Sequence, residues 1–300
     1  MALDPTRENQ TAENIPESID AVTRHGDIDS LTIDGTRIAF WRVGDHPRSV
    51  VFIHGNSACK EVFFRQFDAF AGESVSMVAI DLPGHGASMD ASEPAKQYTI
   101  PGYARLVQQV LKALDVERPL LVGWSLGGHI AIEMAAGGVD AAGLLIVGTP
   151  PAGPGMEQIG DAFLPSDAGA VTMLEKPTAE QIREYTGALY GTCPSVPEWL
   201  HTAAARTDGL ARSTMGAHWA SGATGFSQQQ FVAESSLPLC IAHGAEDVFI
   251  NETYLRQLAV KNLWRDDIQR FEHCGHAAFL EQPDMFNELL RAFINDTVAL

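Results

Sequence analysis

Three residues far apart in this 300-residue chain are of the types that together perform nucleophilic catalysis: Ser125, Asp247 and His276. Ser125 stands in Gly123-Trp124-Ser125-Leu126-Gly127, directly after the apolar run Pro119-Leu120-Leu121-Val122. The run reads as a short buried strand and residues 126–136 as a helix, so the serine falls on the sharp turn between them. Glycines two residues to either side leave room for such a strained turn, in which the hydroxyl projects above the sheet. A serine hydroxyl attacks poorly unless a base stands within hydrogen-bond reach. His276, in His273-Cys274-Gly275-His276, lies between a strand expected over 268–272 and a helix from about Pro283. It is the candidate base, and His273 reads as structural. Asp247, in His243-Gly244-Ala245-Glu246-Asp247, is the acid expected to orient the imidazole and stabilise its cation. Glu246 competes with it, and the offset from Gly244 favours Asp247. No acid closely follows the run at 143–147.

Several elements must hold these residues. Apolar runs at 49–53, 75–80 and 238–242 read as buried strands, ending in His54-Gly55-Asn56, Asp81-Leu82-Pro83-Gly84-His85-Gly86 and the Asp247 loop. Residues 30–32 and 37–43 read as an opening hairpin around Asp34-Gly35. Strands alternate with helices to residue 148, which predicts a mostly parallel sheet flanked by helices. From Thr149 to about Ser236 the pattern becomes helical, broken by Pro and Gly. The division expected is a flexible leader over 1–25, a core over 26–148, a helical cap over 149–236 and the rest of the core over 237–300. Asp81 and His85 read as residues that hold loops.

Composition narrows the class. The net charge of −18 argues against nucleic acid and anionic membrane as partners. No apolar stretch reaches transmembrane length, and residues 1–20 are polar and acidic, without the apolar segment of a secretory signal. Cys59, Cys193, Cys240 and Cys274 are scattered, the usage of a reduced, cytoplasmic protein. Two close histidines at 273 and 276 are the nearest approach to a metal-ligand run, and no metal or other cofactor is expected.

The order serine, acid, histidine, with these loops, resembles the α/β-hydrolase fold from about Ser30 to the end. In that fold the oxyanion hole would be formed by the backbone N–H groups of Leu126 and Asn56. His54-Gly55-Asn56-Ser57, Gly123-Trp124-Ser125-Leu126-Gly127-Gly128-His129-Ile130, Gly148-Thr149-Pro150-Pro151 and Ala205-Arg206-Thr207-Asp208-Gly209 together look like the metal-independent N-acyl-homoserine lactonases. The last two carry most of that likeness. It implies hydrolytic opening of a homoserine lactone ring, with the acyl tail along apolar cap residues, and hence quorum quenching. Gly55, Trp124, Tyr185, Tyr190 and Trp219 are the substrate contacts it suggests. Two features depart from the relatives: their acid pair is Asp-Glu with the Glu catalytic, where this chain has Glu246-Asp247, and the stretch 185–199 is slightly longer. A serine at the elbow argues against haloalkane dehalogenase and epoxide hydrolase, which use aspartate there. A general carboxylesterase, a C–C hydrolase, a cofactor-free perhydrolase and a slow-turnover ligand receptor are the alternatives.

Overall fold

In the computed structural model, which describes residues 15–22, 28–153, 155–223 and 225–297, the apolar runs form one eight-stranded sheet. Its strands are β1 (Asp29–Ile33), β2 (Thr36–Val43), β3 (Ser49–Ile53), β4 (Ser76–Ile80), β5 (Leu120–Trp124), β6 (Gly143–Val147), β7 (Leu239–Gly244) and β8 (Gln269–Phe271). They lie in the order β1-β2-β4-β3-β5-β6-β7-β8. β1 and β2 form an antiparallel hairpin, β2 pairs antiparallel with β4, and all other neighbours are parallel. Asp34 and Gly35 both have positive φ, 46° and 76°, as the two central residues of a tight hairpin turn require.

Every residue of β3 to β7 is buried, the pattern of strands covered on both faces. The helices of seven or more residues are α1 (Ile100–Ala113), α2 (Leu126–Ala136), α3 (Met156–Ala162), α4 (Ala179–Leu189), α5 (Glu198–Arg206), α6 (Gly209–Ala220), α7 (Gln228–Glu234) and α8 (Pro283–Thr297). α1 begins where the Thr99 side chain accepts from the Gly102 N–H at 3.0 Å, and it buries Ile100, Tyr103, Leu106, Val107, Val110 and Leu111. That three-and-four spacing keeps one face on the sheet. α8 buries Phe286, Leu289, Leu290, Phe293 and Ile294 in the same way.

The chain runs from β3 out to β4 and then back across to β5 on the other side of β3. The reversal leaves a crevice beyond the carboxyl ends of β3 and β5, where open α/β sheets hold their ligands. His54-Gly55-Asn56 follows β3 and Ser125 follows β5, so both loops meet there. α3 to α7 all lie between β6 and β7, and among the described residues of that stretch there is no strand. Most of the leader expected over 1–25 lies outside the described residues. Of the part within them, Ile15 and Val22 are buried, and Trp199 Nε1 donates to Pro16 O at 2.9 Å, so residues 15–22 are anchored against the helical insertion.

Candidate active site

Ser125 sits between β5 and α2 with φ 52° and ψ −117°, a left-handed conformation costly for a residue with a side chain. What holds it there is the packing of the turn. Its N–H donates to Val147 O at 2.8 Å, and Thr149 Oγ1 lies 3.0 Å from Ser125 O. A Cβ at Gly123 would come within 2.4 Å of Gly127 O, and one at Gly127 within 2.0 Å of Ile53 O. Both glycines are therefore required by strand–helix contact, the role read from their spacing.

His276 is buried, and its Nδ1 lies 2.7 Å from Asp247 Oδ2. Asp247 also accepts from the Phe249 N–H at 2.9 Å. Burial pushes the Asp247 carboxyl up, but the facing His276 and the Phe249 N–H outweigh it and hold the group below its ordinary value. Asp247 is thus an anion facing the ring, and the Nδ1 proton is the one it fixes. Glu246, the competing acid, points away: its Oε1 lies 3.3 Å from Nδ1 of an exposed His273. His273 is accordingly a surface residue just past β8, not a packed structural one. Gly148, with φ 54°, passes so close that a Cβ would lie 2.7 Å from the His276 ring.

The loop after β3 is tied on every side. His54 Nε2 accepts from the Leu82 N–H at 3.0 Å, which leaves its proton on Nδ1, 2.8 Å from Gly55 O. Burial pushes this ring below its ordinary pKa and keeps it neutral. Asn56 accepts at Oδ1 from Ser57 Oγ, 2.8 Å away, and its carbonyl accepts from Tyr185 Oη at 3.1 Å. Ser57 in turn accepts from Arg212 Nη1 at 3.2 Å. Arg212 is buried and also donates to Leu174 O and Ala204 O, so the guanidinium links α6 to the Asn56 loop. Sequence reasoning missed Arg212. Its only local signal is its place on one α6 face with Met215 and Trp219. Leu126, as first residue of α2, contributes an N–H with no acceptor inside the helix.

A further buried charge cluster lies behind this loop. Lys60 Nζ contacts Asp81 Oδ2 at 2.9 Å and Glu61 Oε1 at 2.5 Å. Burial alone would push the Lys60 ammonium down, but Asp81 and Glu61 more than reverse it. Asp81 accepts as well from the N–H groups of Lys60 and Ala87, so it holds loops, as its turn-rich setting suggested.

Above Ser125 lies a cavity of about 410 Å³. Asn56, Ser125, Leu126, Tyr185, Phe249 and His276 line one end, and the insertion supplies most of the rest, including Met156, Ile159, Phe163, Met215 and Trp219. Three of the five expected substrate contacts lie elsewhere. Trp124 is fully buried beneath the serine, donating from Nε1 to His276 O at 2.9 Å. Tyr190 packs on the Trp124 ring at 5.8 Å. Gly55 lies under Ser125, where a Cβ would sit 3.1 Å from the Trp124 ring. Tyr185 and Trp219 do line the cavity. The stretch 205–209 makes no part of its wall. Arg206 donates to Ser88 O at 2.6 Å and Gly84 O at 3.3 Å, and Asp208 accepts from Tyr98 Oη at 2.6 Å. That motif staples the insertion to the 83–88 loop.

Comparison with known proteins agrees with this architecture. The sequence matches the alpha/beta hydrolase family over residues 50–289. A 2-hydroxy-6-oxononadienedioate/2-hydroxy-6-oxononatrienedioate hydrolase of Paraburkholderia phymatum is 26% identical over 274 residues, 86% of this chain and 91% of its own. Among solved structures, N-acyl homoserine lactonase AidH complexed with N-butanoyl homoserine is similar at a TM-score of 0.86. It is 32% identical, over 91% of this chain and 98% of that one. A putative aryl esterase from Burkholderia cenocepacia shares the fold, with a TM-score of 0.74 and 20% identity over 91% of this chain and 99% of that one. No helix among the described residues is long and apolar enough to cross a membrane. With a reversal point, a strained serine and a family match running from β3 into α8, this chain belongs to the alpha/beta hydrolase family.

Proposed function

We propose that this hydrolase opens the lactone ring of N-acyl-homoserine lactones, with Ser125 as nucleophile, His276 as base and Asp247 as the group that orients it. The observation that carries the reading is the 32% identity to the lactonase AidH across 91% of this chain, against 20% for the aryl esterase. The wall of the cavity agrees: most of its residues are apolar, and Ser125 and His276 both lie on it.

Ser125 Oγ attacks the lactone carbonyl carbon while His276 Nε2 takes its proton. Nδ1 is already committed to Asp247, so Nε2 is the nitrogen available for this. The oxyanion that forms is met by the N–H groups of Leu126 and Asn56. Preorganised donors of this kind are worth about a hundred- to a thousand-fold each in rate. Asn56 suits the role because its side chain and carbonyl are already engaged, which fixes the backbone between them. The ring C–O bond breaks, and His276 returns its proton to the departing alkoxide, which stays tethered in the acyl-enzyme. Water, deprotonated by His276, attacks the ester and releases N-acyl-homoserine and free Ser125. Each methylene of the tail buried along the insertion adds about 0.8 kcal/mol of binding.

A C–C hydrolase is the second reading, favoured by the Paraburkholderia relative. That relative's substrates are dioates, and a second carboxylate needs a cationic partner when buried. No lysine or arginine is among the residues lining this cavity.

Mass spectrometry after incubation with short-chain and long-chain acyl-homoserine lactones tests the proposal, with wild type and Ser125→Ala side by side and a chelator present. One added water per molecule, absent in Ser125→Ala and indifferent to chelator, is the expected result. Free homoserine lactone with fatty acid would instead mean amide cleavage. Unchanged substrate at both chain lengths would return the chain to the wider esterase class.

A further inference from the structure

One histidine on the cavity wall takes no part in this mechanism. His129 lies one turn along α2 from Ser125, 2% exposed, among the residues that line the cavity. Its neighbours are apolar: the Trp219 ring meets it edge-on at 4.6 Å, and Phe163 lies 6.1 Å away. Its protonation is fixed by Gln228. The Gln228 amide donates from Nε2 to His129 O at 3.2 Å, so its Oε1 is the atom 2.8 Å from His129 Nδ1. An oxygen there can only accept, so Nδ1 carries the ring proton. Burial pushes the ring down to about 4, and with a single proton on the ring, Nε2 is a bare acceptor. Nε2 has no hydrogen-bond partner among the described residues, and the ring it belongs to lines the cavity. Its lone pair therefore opens on the cavity, in the apolar part of the wall.

We propose that His129 is a specificity-determining residue whose Nε2 accepts a hydrogen bond from a hydroxyl on the acyl chain of the substrate. This rests on the lactonase reading and extends it to a substrate class, the hydroxylated acyl-homoserine lactones. The polar end of the cavity, with Asn56, Tyr185 and His276, serves the lactone; the chain runs past His129 toward Trp219 and Phe163. His129 lies one turn from Ser125, its N–H donating to Ser125 O at 3.3 Å, so only the first few chain atoms pass beside it. A plain methylene chain leaves the lone pair without water or partner, and a 3-oxo chain sets one acceptor against another. A 3-hydroxyl alone supplies the missing donor. Leaving a buried acceptor unpaired costs enough for about ten-fold discrimination.

The test is kcat/KM for octanoyl-, 3-oxooctanoyl- and 3-hydroxyoctanoyl-homoserine lactone with wild type, His129→Phe and Gln228→Leu. Phe fills the ring's place without an acceptor. Leu keeps the ring but releases its tautomer. Ratios between substrates on one preparation do not depend on how much of a variant folds. Wild type is expected to favour the 3-hydroxy chain about ten-fold over the plain one, with the 3-oxo chain last, and both variants to bring the ratios near one. Equal rates in wild type, a 3-oxo chain at or above the 3-hydroxy, or variants that lower all three in proportion would overturn the proposal. Hydrolysis of all three without preference would leave the lactonase reading standing. Hydrolysis of none would remove both.

Discussion

His276 and His129 are buried in the wall of one cavity, and they differ in what stands behind them. Behind His276 Nδ1 is a carboxylate, Asp247, at 2.7 Å; behind His129 Nδ1 is a neutral amide, Gln228, at 2.8 Å. The distances are nearly equal and the chemistry is not. A carboxylate stabilises an imidazolium, which suits His276 to the proposed role of taking a proton and giving it back. An amide supplies orientation without charge, so His129 stays a neutral acceptor down to about pH 4. The charge of the partner, more than its distance, separates a base from a fixed contact.

Removing that charge at the first site gives the largest effect. Asp247→Asn should lower kcat on the best lactone by about 10⁴-fold, the scale of the same change in a serine protease triad. Glu246→Gln, one residue away and exposed, should leave kcat near wild type. Steady-state kinetics of the pair checks the assignment, and a comparable loss in Glu246→Gln would mean the two acids share the role.

A smaller effect follows from His129. Folded, its ring binds a proton only near pH 4, against 6.5 when unfolded. As pH falls below 6.5 the unfolded chain takes up the proton first, so this contribution to stability is complete above 6.5 and is lost progressively down to about 4. Between pH 7 and 5 the loss from this one group is about 2 kcal/mol. Denaturant unfolding at both pH values should show wild type losing more than His129→Phe by that amount. Gln228→Glu, which places a carboxylate behind the ring as at His276, should shrink the loss too. Equal losses in wild type and His129→Phe would mean that His129 is already protonated at pH 5.

How much of this was legible in the sequence depends on how local each constraint is. The elbow could be read because its glycines and serine answer to one turn, and the central strands because continuous apolar runs of five residues fit little else in this setting. Asp247 was separable from Glu246 by its offset from Gly244, which fixes the direction each side chain takes as the chain leaves β7. The aromatic residues were not separable. Trp124, Tyr185, Tyr190 and Trp219 look alike in sequence, and only packing decides that Trp124 and Tyr190 lie under the serine while the other two face the cavity. The positioning network was the least legible: Gln228 is 99 residues from His129 and Arg212 is 155 from Ser57. Neither pair leaves a local signature. The Arg206–Asp208 motif was visible but its role was not, since a staple and a substrate contact use the same residue types.

The smallest effect compares the two positions as backbone. Ser125 precedes the first turn of α2 with φ 52°, while His129 lies within the regular helix. A left-handed backbone costs a residue with a Cβ about 1–3 kcal/mol, and glycine escapes most of that. Ser125→Ala keeps the strain and Ser125→Gly relieves it, less the extra freedom glycine has when unfolded. Ser125→Gly should therefore unfold about 2 °C above Ser125→Ala, or about 1 kcal/mol. At His129 the sign reverses. Glycine inside a helix is about 1 kcal/mol worse than alanine, so His129→Gly should unfold below His129→Ala. Thermal unfolding of the four variants reads both differences at once. If Ser125→Gly melts below Ser125→Ala, the elbow carries no strain that a Cβ imposes, and the turn is held by its hydrogen bonds to Val147 and Thr149 alone.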